Sequence, residues 1–164
     1  QTGEPNDQQY LDRKQGLTDA LAARDDIEIL DEYNVKNSKD LGMSTAEDCL
    51  MSYDDFDAIV CQNDDAALGV VQALKSADRL EDILVLGVDG SDDALASIEK
   101  GELSMTALQD AKGQAEAGAK IFAELRDGTD PKDIEDVYIP FQIVTADNVA
   151  EYLGGEAATE AATE

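Results

Sequence analysis

Short apolar runs alternate with amphipathic segments along this chain, and this alternation constrains the fold more than any other feature. Residues 56–61, 83–88 and 103–108 are mostly apolar runs of strand length. Each is followed by a segment in which apolar residues recur every three or four positions, the period of a helix packed on one side. Strands that are apolar on both faces are typical of covered parallel sheets. The sequence therefore predicts an α/β fold with a parallel sheet flanked by helices on both faces.

Further elements are predicted by the same periods and by capping residues. A helix over residues 8–24 precedes a short strand at residues 27–30. Ser44 and Glu47 have the spacing of a capping box, which predicts a helix that begins at Ser44 and continues to about Ser52. The other predicted elements are helices over residues 63–77, 91–100 and 110–126, an extended run over residues 137–144 that contains Pro140, and a short helix after Thr145.

The charge balance limits the partners that this chain can bind. It has 12 basic and 38 acidic residues, so its formal net charge is −26. Nucleic acids and anionic membrane surfaces are held by clustered Lys and Arg, and a surface this acidic repels them. We therefore expect no nucleic-acid partner, and partners that are neutral, cationic or small. No apolar run approaches the roughly 20 residues that span a bilayer, so we expect no direct membrane insertion.

The absence of histidine excludes several kinds of chemistry. Without imidazole, Ser-His-Asp and Cys-His catalysis and His-ligated zinc are ruled out. The two cysteines, Cys49 and Cys61, cannot complete a structural zinc site, and their apolar surroundings favour buried thiols over a disulfide. No Gly-rich phosphate loop or nucleophile elbow is present, and carboxylate pairs among 38 acids arise by chance. We therefore expect no enzyme activity, no metal and no cofactor.

Polar residues follow two of the apolar strands at the point where each strand ends. Asn63 comes after residues 58–61, and Asp89 comes after residues 83–88. In open α/β sheets, ligands bind beyond the carboxyl ends of the strands. A carboxylate and an amide there suit the hydroxyl groups of a ligand. The alternative is local, since Asn63 or Asp64 can cap a helix and Asp89 with Gly90 can make a tight turn.

Arg13 is one of four arginines and lies early in the first predicted helix. Its planar guanidinium can hold paired oxygens, or it can extend into solvent, and spacing alone does not separate the two roles.

Three segments together resemble a known family. They are Arg-Lys-Gln-Gly-Leu at residues 13–17, Gln-Asn-Asp-Asp-Ala-Ala-Leu-Gly at residues 62–69, and Gly-Val-Asp-Gly-Ser-Asp-Asp at residues 87–93. In sequence, order and separation they resemble the C-terminal half of the type I periplasmic sugar-binding proteins of the ribose/galactose-binding kind. The resemblance covers residues 3–153.

The resemblance implies a ligand site and a division of the chain. Carried over to this sequence, the family's sugar-binding residues are Arg13, Asn63, Asp89 and Gln109, and Asn37 falls where some members place a ligand contact. Residues 1–108 are then the sugar-binding lobe, with its first strand largely absent and the first lobe missing. The implied remaining parts are a crossing segment and helix at 109–136 that would pack on the missing lobe, a return strand and final helix at 137–153, and a disordered acidic tail at 154–164.

The function implied by the resemblance is solute binding for an ABC-type carbohydrate importer. Two lobes would close by a hinge around a sugar or sugar alcohol of the pentose, hexose or inositol class, and the ABC permease would be the protein partner. The expected location is periplasmic or extracellular, lipid-anchored or secreted, with the signal sequence outside the given chain. The alternative is the effector-binding core of a LacI-like transcription regulator, which resembles the same fold but requires a DNA-binding segment.

Overall fold

The computed structural model describes residues 8–154 and contains helices and strands in alternation. The α/β class predicted from the sequence is confirmed. The acidic tail expected at 154–164 lies, apart from Gly154, outside the described residues. The elements in chain order are α1 (Gln8–Leu21), α2 (Lys39–Ser52), β1 (Ala58–Val60), α3 (Asp64–Ser76), β2 (Leu84–Asp89), α4 (Asp92–Glu99), β3 (Met105–Leu108), α5 (Ala111–Arg126), a 3₁₀ turn (Pro131–Asp133), β4 (Gln142–Thr145) and a second 3₁₀ turn (Val149–Glu151).

Within the described residues, four strands form one sheet in the order β1-β2-β3-β4. β1, β2 and β3 are parallel, whereas β4 pairs antiparallel with β3 through the register Thr106 to Val144. The sheet is therefore mixed rather than wholly parallel. The extended run predicted at 137–144 becomes a strand only after Pro140 and Phe141, since proline has no backbone N–H to give to a ladder.

One face of the sheet carries the core. Val85, Thr106 and Val144 are fully buried on this face, and α3 packs against β2. Right-handed crossovers that advance in one direction along the sheet place α3 and α4 on the same side. The opposite face is less covered, because Leu84 is 58% exposed and Ile143 is 54% exposed.

Helix α2 lies unusually close to α3 because two glycines meet the partner backbone. A Cβ added at Gly42 would collide with the carbonyl oxygen of Ala66, and one added at Gly69 would collide with the carbonyl oxygen of Lys39. The two helices therefore approach to a distance that only glycine permits at these positions.

The start of α2 differs from the sequence prediction. Its N-cap is Ser38, whose Oγ accepts a hydrogen bond from the Leu41 amide at 3.4 Å, and the helix begins at Lys39. Ser44 lies inside the helix and donates to the Leu41 carbonyl. The prediction was wrong because residue 41, three after the true cap, is Leu and not Glu or Gln. The capping-box spacing pointed to a later serine instead.

Residues 27–30 do not form the predicted strand. Ile27, Ile29 and Leu30 are all exposed, and no strand within residues 8–154 pairs with this segment. An apolar run becomes a strand only when a neighbour supplies its backbone hydrogen bonds.

Both cysteines are free thiols, as their apolar surroundings predicted. Burial raises the pKa of the Cys61 thiol to about 11, and burial also raises the pKa of Cys49. Neither is therefore a reactive thiolate at neutral pH.

Helix α5 is exposed over most of its length, and four of its residues are half-buried. It contains no buried residue, and Phe122 is 69% exposed. An open groove of about 800 Å³ lies between α5 and the segment that leads to β4. Phe122 and Leu125 are exposed apolar side chains on this helix.

Candidate functional site

Three parallel strands bring polar side chains to one edge of the sheet. Gln62 and Asn63 follow β1, Asp89 ends β2, and Gln109 follows β3. The register joins Asp89 to Leu108, and the Gln109 amide donates to the Asp89 carbonyl at 2.9 Å. The carboxyl ends of parallel neighbours share an edge, so Asn63, Asp89 and Gln109, three of the residues predicted to bind ligand, lie at that edge.

Asp89 lies at the centre of this edge. Its Oδ1 accepts a hydrogen bond from Gln109 Nε2 at 2.6 Å, and Arg13 Nη2 lies 4.0 Å from the same oxygen. Its side chain is 39% exposed. The backbone of Asp89 has φ +127°, a value that L-residues rarely adopt. Strain of this kind persists only where the surrounding structure enforces it, and it is concentrated at functional sites.

Arg13 is anchored and does not extend freely into solvent. Its Nη1 donates to the Gln62 carbonyl at 2.7 Å, which ties α1 to the residues that follow β1. Its side chain is 24% exposed, so the guanidinium is held beside Asp89 with part of its donor edge accessible. This arrangement has the donor geometry that suits paired oxygens.

Asn63 performs the capping role that the sequence left open. Its Oδ1 accepts from the Ala66 amide at 3.2 Å, and its Nδ2 donates to the Asn37 carbonyl at 3.4 Å. Asn37 thus contacts this part of the edge through its backbone carbonyl. Asn37 itself is exposed and has φ +55°. Capping and ligand contact are compatible roles for this amide, since the cap uses its oxygen, Asn37 uses one of its two N–H hydrogens, and the second is left for a ligand.

Replacement of Asn63 tests these contacts separately. We expect Asn63→Ala to lower the free energy of unfolding by about 0.5 to 2 kcal/mol, because α3 loses its N-cap. Asn63→Asp keeps an accepting oxygen for the Ala66 amide and removes the donor to Asn37, so it should retain most of the stability. Urea unfolding followed by circular dichroism measures both. Equal destabilisation by the two variants would contradict the capping role.

Asp64 also lies in this region, and the sequence suggested no role for it beyond capping a helix. It is 1% exposed, and its carboxylate accepts hydrogen bonds from Gly90, Ser91 and Thr106. Burial raises its pKa, and the hydrogen bonds from Ser91 and Thr106 oppose that shift. Its partners lie 26 to 42 residues away along the chain, so no local pattern predicts these contacts.

The edge offers both donors and acceptors of hydrogen bonds. A carboxylate, two amides and a guanidinium offer acceptors and donors in the pattern that neutral hydroxyl groups need. Among residues 8–154, no group of three or more Cys, Asp or Glu side chains is arranged to hold a metal ion. Within the same residues, no helix is both long and apolar enough to cross a membrane.

A family model matches this chain, and known proteins are similar to it. The model of the periplasmic binding protein domain family matches residues 1–130. A Rhizobium meliloti protein that carries the name of a rhizopine-binding protein is 36% identical over 155 residues, which cover 93% of this chain and 50% of that protein. The xylitol-binding protein of Mycolicibacterium smegmatis is 31% identical over 85% of this chain and 39% of its own length.

A solved structure gives the same result in three dimensions. An ABC transporter solute-binding protein of Bacillus halodurans with bound myo-inositol is 34% identical, with a TM-score of 0.84, over 92% of this chain and 52% of that chain. This chain spans about half the length of that structure and of the Rhizobium relative. These relatives are binding proteins and not enzymes, as the sequence predicted. The family match over most of this chain, together with these identities, establishes that the chain belongs to the periplasmic binding protein domain family.

Proposed function

We propose that this chain forms half of the ligand site of a solute-binding protein that delivers a sugar or sugar alcohol to an ABC importer. The observation that carries the proposal is the juxtaposition of Arg13, Asp89 and Gln109 at the carboxyl edge of the sheet. Asn63 and Asn37 adjoin this edge as further candidate contacts. The ligand is of the pentose, hexose or inositol class.

Hydrogen-bond geometry supports a hydroxyl-rich ligand. Asp89 accepts through two oxygens and Arg13 donates through a planar fork, so each can engage a pair of neighbouring hydroxyl groups. A polar site of this kind rejects analogues that lack a hydroxyl, because its own groups would then be left unpaired. The ligands named for the relatives include xylitol and myo-inositol, which supports the polyol class.

Hinge closure is the proposed mechanism. The edge described here is open, and a second lobe would supply the other half of the contacts. A ligand shifts a protein toward the closed state only by the hydrogen bonds that it makes there and not in the open state. The exposed face of α5 and its groove are the surface that we assign to the second lobe.

The proposed setting is periplasmic or extracellular, with the importer's permease as the protein partner. The family and the import function named for its members support this setting over the transcription-regulator alternative. The net charge of −26 is compatible with a neutral ligand.

A thermal-shift screen of the full-length parent protein tests the proposal. Ligand that binds only the native state stabilises it by mass action and so raises the melting temperature. At a ligand concentration 100 times its Kd, the free energy of unfolding rises by about 2.7 kcal/mol. We expect a clear shift with one class among pentoses, hexoses and inositols. No shift with any of them, from a sample that unfolds cooperatively, would contradict the proposal.

A further inference from the structure

Asp64 is a buried carboxylate that touches the loop behind the candidate site and is itself too buried to touch a ligand. We infer that Asp64 is a positioning residue, which sets the backbone of residues 89–91 so that Asp89 presents its carboxylate at the sheet edge. The inference rests on the proposed function, since it assigns to Asp64 a role in the affinity of that same site.

The contacts of Asp64 join three elements. Its Oδ2 accepts from the backbone amides of Gly90 and Ser91, both at 2.8 Å, and its Oδ1 accepts from Thr106 Oγ1 at 2.7 Å. The Gly90 amide also lies 3.2 Å from Thr106 Oγ1. One side chain on α3 therefore fixes both amides that directly follow Asp89 and connects them to β3.

The space around the carboxylate is shaped for it. A Cβ added at Gly87 would collide with Asp64 Oδ1, so the side chain fits only because residue 87 is glycine. Gly90 has φ +78°, and a Cβ there would collide with the side chain of Leu108. The loop is thus confined from two sides.

The conformation of Asp89 requires a restraint of this kind. Its φ of +127° is unfavourable for an L-residue, and a strained residue keeps such a value only when its neighbours are held. The next two amides are held by Asp64 Oδ2. Loss of these bonds frees the loop to relax, and the carboxylate of Asp89 then leaves its place beside Arg13 and Gln109.

Hydrogen bonds compensate for the burial of the Asp64 carboxylate. Among the described residues, no salt bridge reaches Asp64, and its partners are two backbone N–H groups and one hydroxyl. Asp64 also lies in the first turn of α3, where the helix dipole favours a negative charge. A charged oxygen that accepts two amides forms stronger bonds than a neutral one, which suits a residue that must hold a strained loop.

The test compares variants of the full-length protein by isothermal titration with the sugar found in the screen. We expect Asp64→Ala to raise Kd by about 10- to 100-fold, the range found when a residue that orients a metal ligand is removed. Asp64→Asn keeps one oxygen for the Gly90 and Ser91 amides, so its Kd should stay within a few-fold of the wild-type value. Asp65→Ala is the matched control, because Asp65 is the exposed acid next to it in the same turn.

The readouts separate positioning from simple stabilisation. A purely structural role would lower the melting temperature while leaving Kd and the binding stoichiometry of the folded protein unchanged, and that result would overturn the inference. If Asp64→Ala does not fold, Thr106→Val replaces it, since loss of the hydroxyl frees one side of the carboxylate, and we expect about tenfold weaker binding.

Hydrogen exchange at Gly90 and Ser91 provides a readout that needs no ligand. Their amides should exchange at least tenfold faster in Asp64→Ala or Thr106→Val than in wild type, and Asp64→Asn should stay within a few-fold of wild type. Unchanged exchange in Asp64→Ala and Thr106→Val would overturn the inference even if sugar binds. A wild-type protein that binds no sugar would instead overturn the proposed function and with it the role in affinity, while the exchange rates would still decide whether Asp64 holds the loop.

Discussion

Replacing Asp89 by alanine in the full-length parent protein is expected to weaken sugar binding by about 10- to 150-fold. A hydrogen bond to a charged group contributes roughly 1.5 to 3 kcal/mol, and each 1.4 kcal/mol is a factor of ten in Kd. Asp89 supplies the carboxylate of the edge and is the common partner of Arg13 and Gln109. Its loss removes an acceptor from the ligand and leaves both donors without their partner.

The fold should tolerate this change, because the Asp89 side chain is partly exposed. Isothermal titration measures Kd, and the melting temperature of the unliganded protein checks the fold. Asp93→Ala removes an equal charge from an exposed position in the first turn of α4 and should leave Kd unchanged. An unaltered Kd for Asp89→Ala would remove Asp89 from the site.

The largest loss of stability is expected from Gly69→Ala. A Cβ at this position would overlap the Lys39 carbonyl oxygen and approach the Met43 amide nitrogen to 2.9 Å. Both atoms belong to the backbone of α2, so no side-chain rotation relieves the collision and the helices must move apart. Overpacking of this kind costs about 1 to 3 kcal/mol and occasionally more, and we expect the upper end of that range.

Gly16→Ala is the matched control for Gly69→Ala. Gly16 also lies inside a helix, but a Cβ there meets nothing within 4 Å. Because alanine is the better helix former, stability should stay the same or rise by about 0.5 to 1 kcal/mol. Urea unfolding measures both variants. A Gly69→Ala protein as stable as wild type would contradict the close approach of α2 and α3.

Local signals predicted those elements whose cause is local. Ser91 caps α4 as expected, because its hydroxyl accepts from the Ala94 amide three residues later. The strand at Leu84–Asp89 follows from its apolar run. Residues 27–30 carry a similar signal but lack a partner within the described residues, and pairing is a property that one segment does not encode by itself.

In the candidate site, too, some residues were predictable from local sequence and others depend on contacts that are distant in the chain. Asp89 and Asn63 were found because residues at strand ends occupy a known place in this kind of sheet. The contact of Arg13 with the Gln62 carbonyl spans 49 positions, and that of Thr106 with Asp64 spans 42. Such contacts depend on the packed arrangement of several elements, which explains why the role of Asp64 emerged only from the structure.

The long connection between β3 and β4 affects the order in which the sheet assembles. β1, β2 and β3 are joined by short helical crossovers, whereas residues 109–141 separate β3 from its antiparallel partner. α5 lies within this connection and contains no buried residue, so its packing does little to offset the entropic cost of closing the loop. We therefore expect the parallel strands to form the folding nucleus and β4 to dock late. The same imbalance allows β4 to detach by local opening while the parallel strands stay folded.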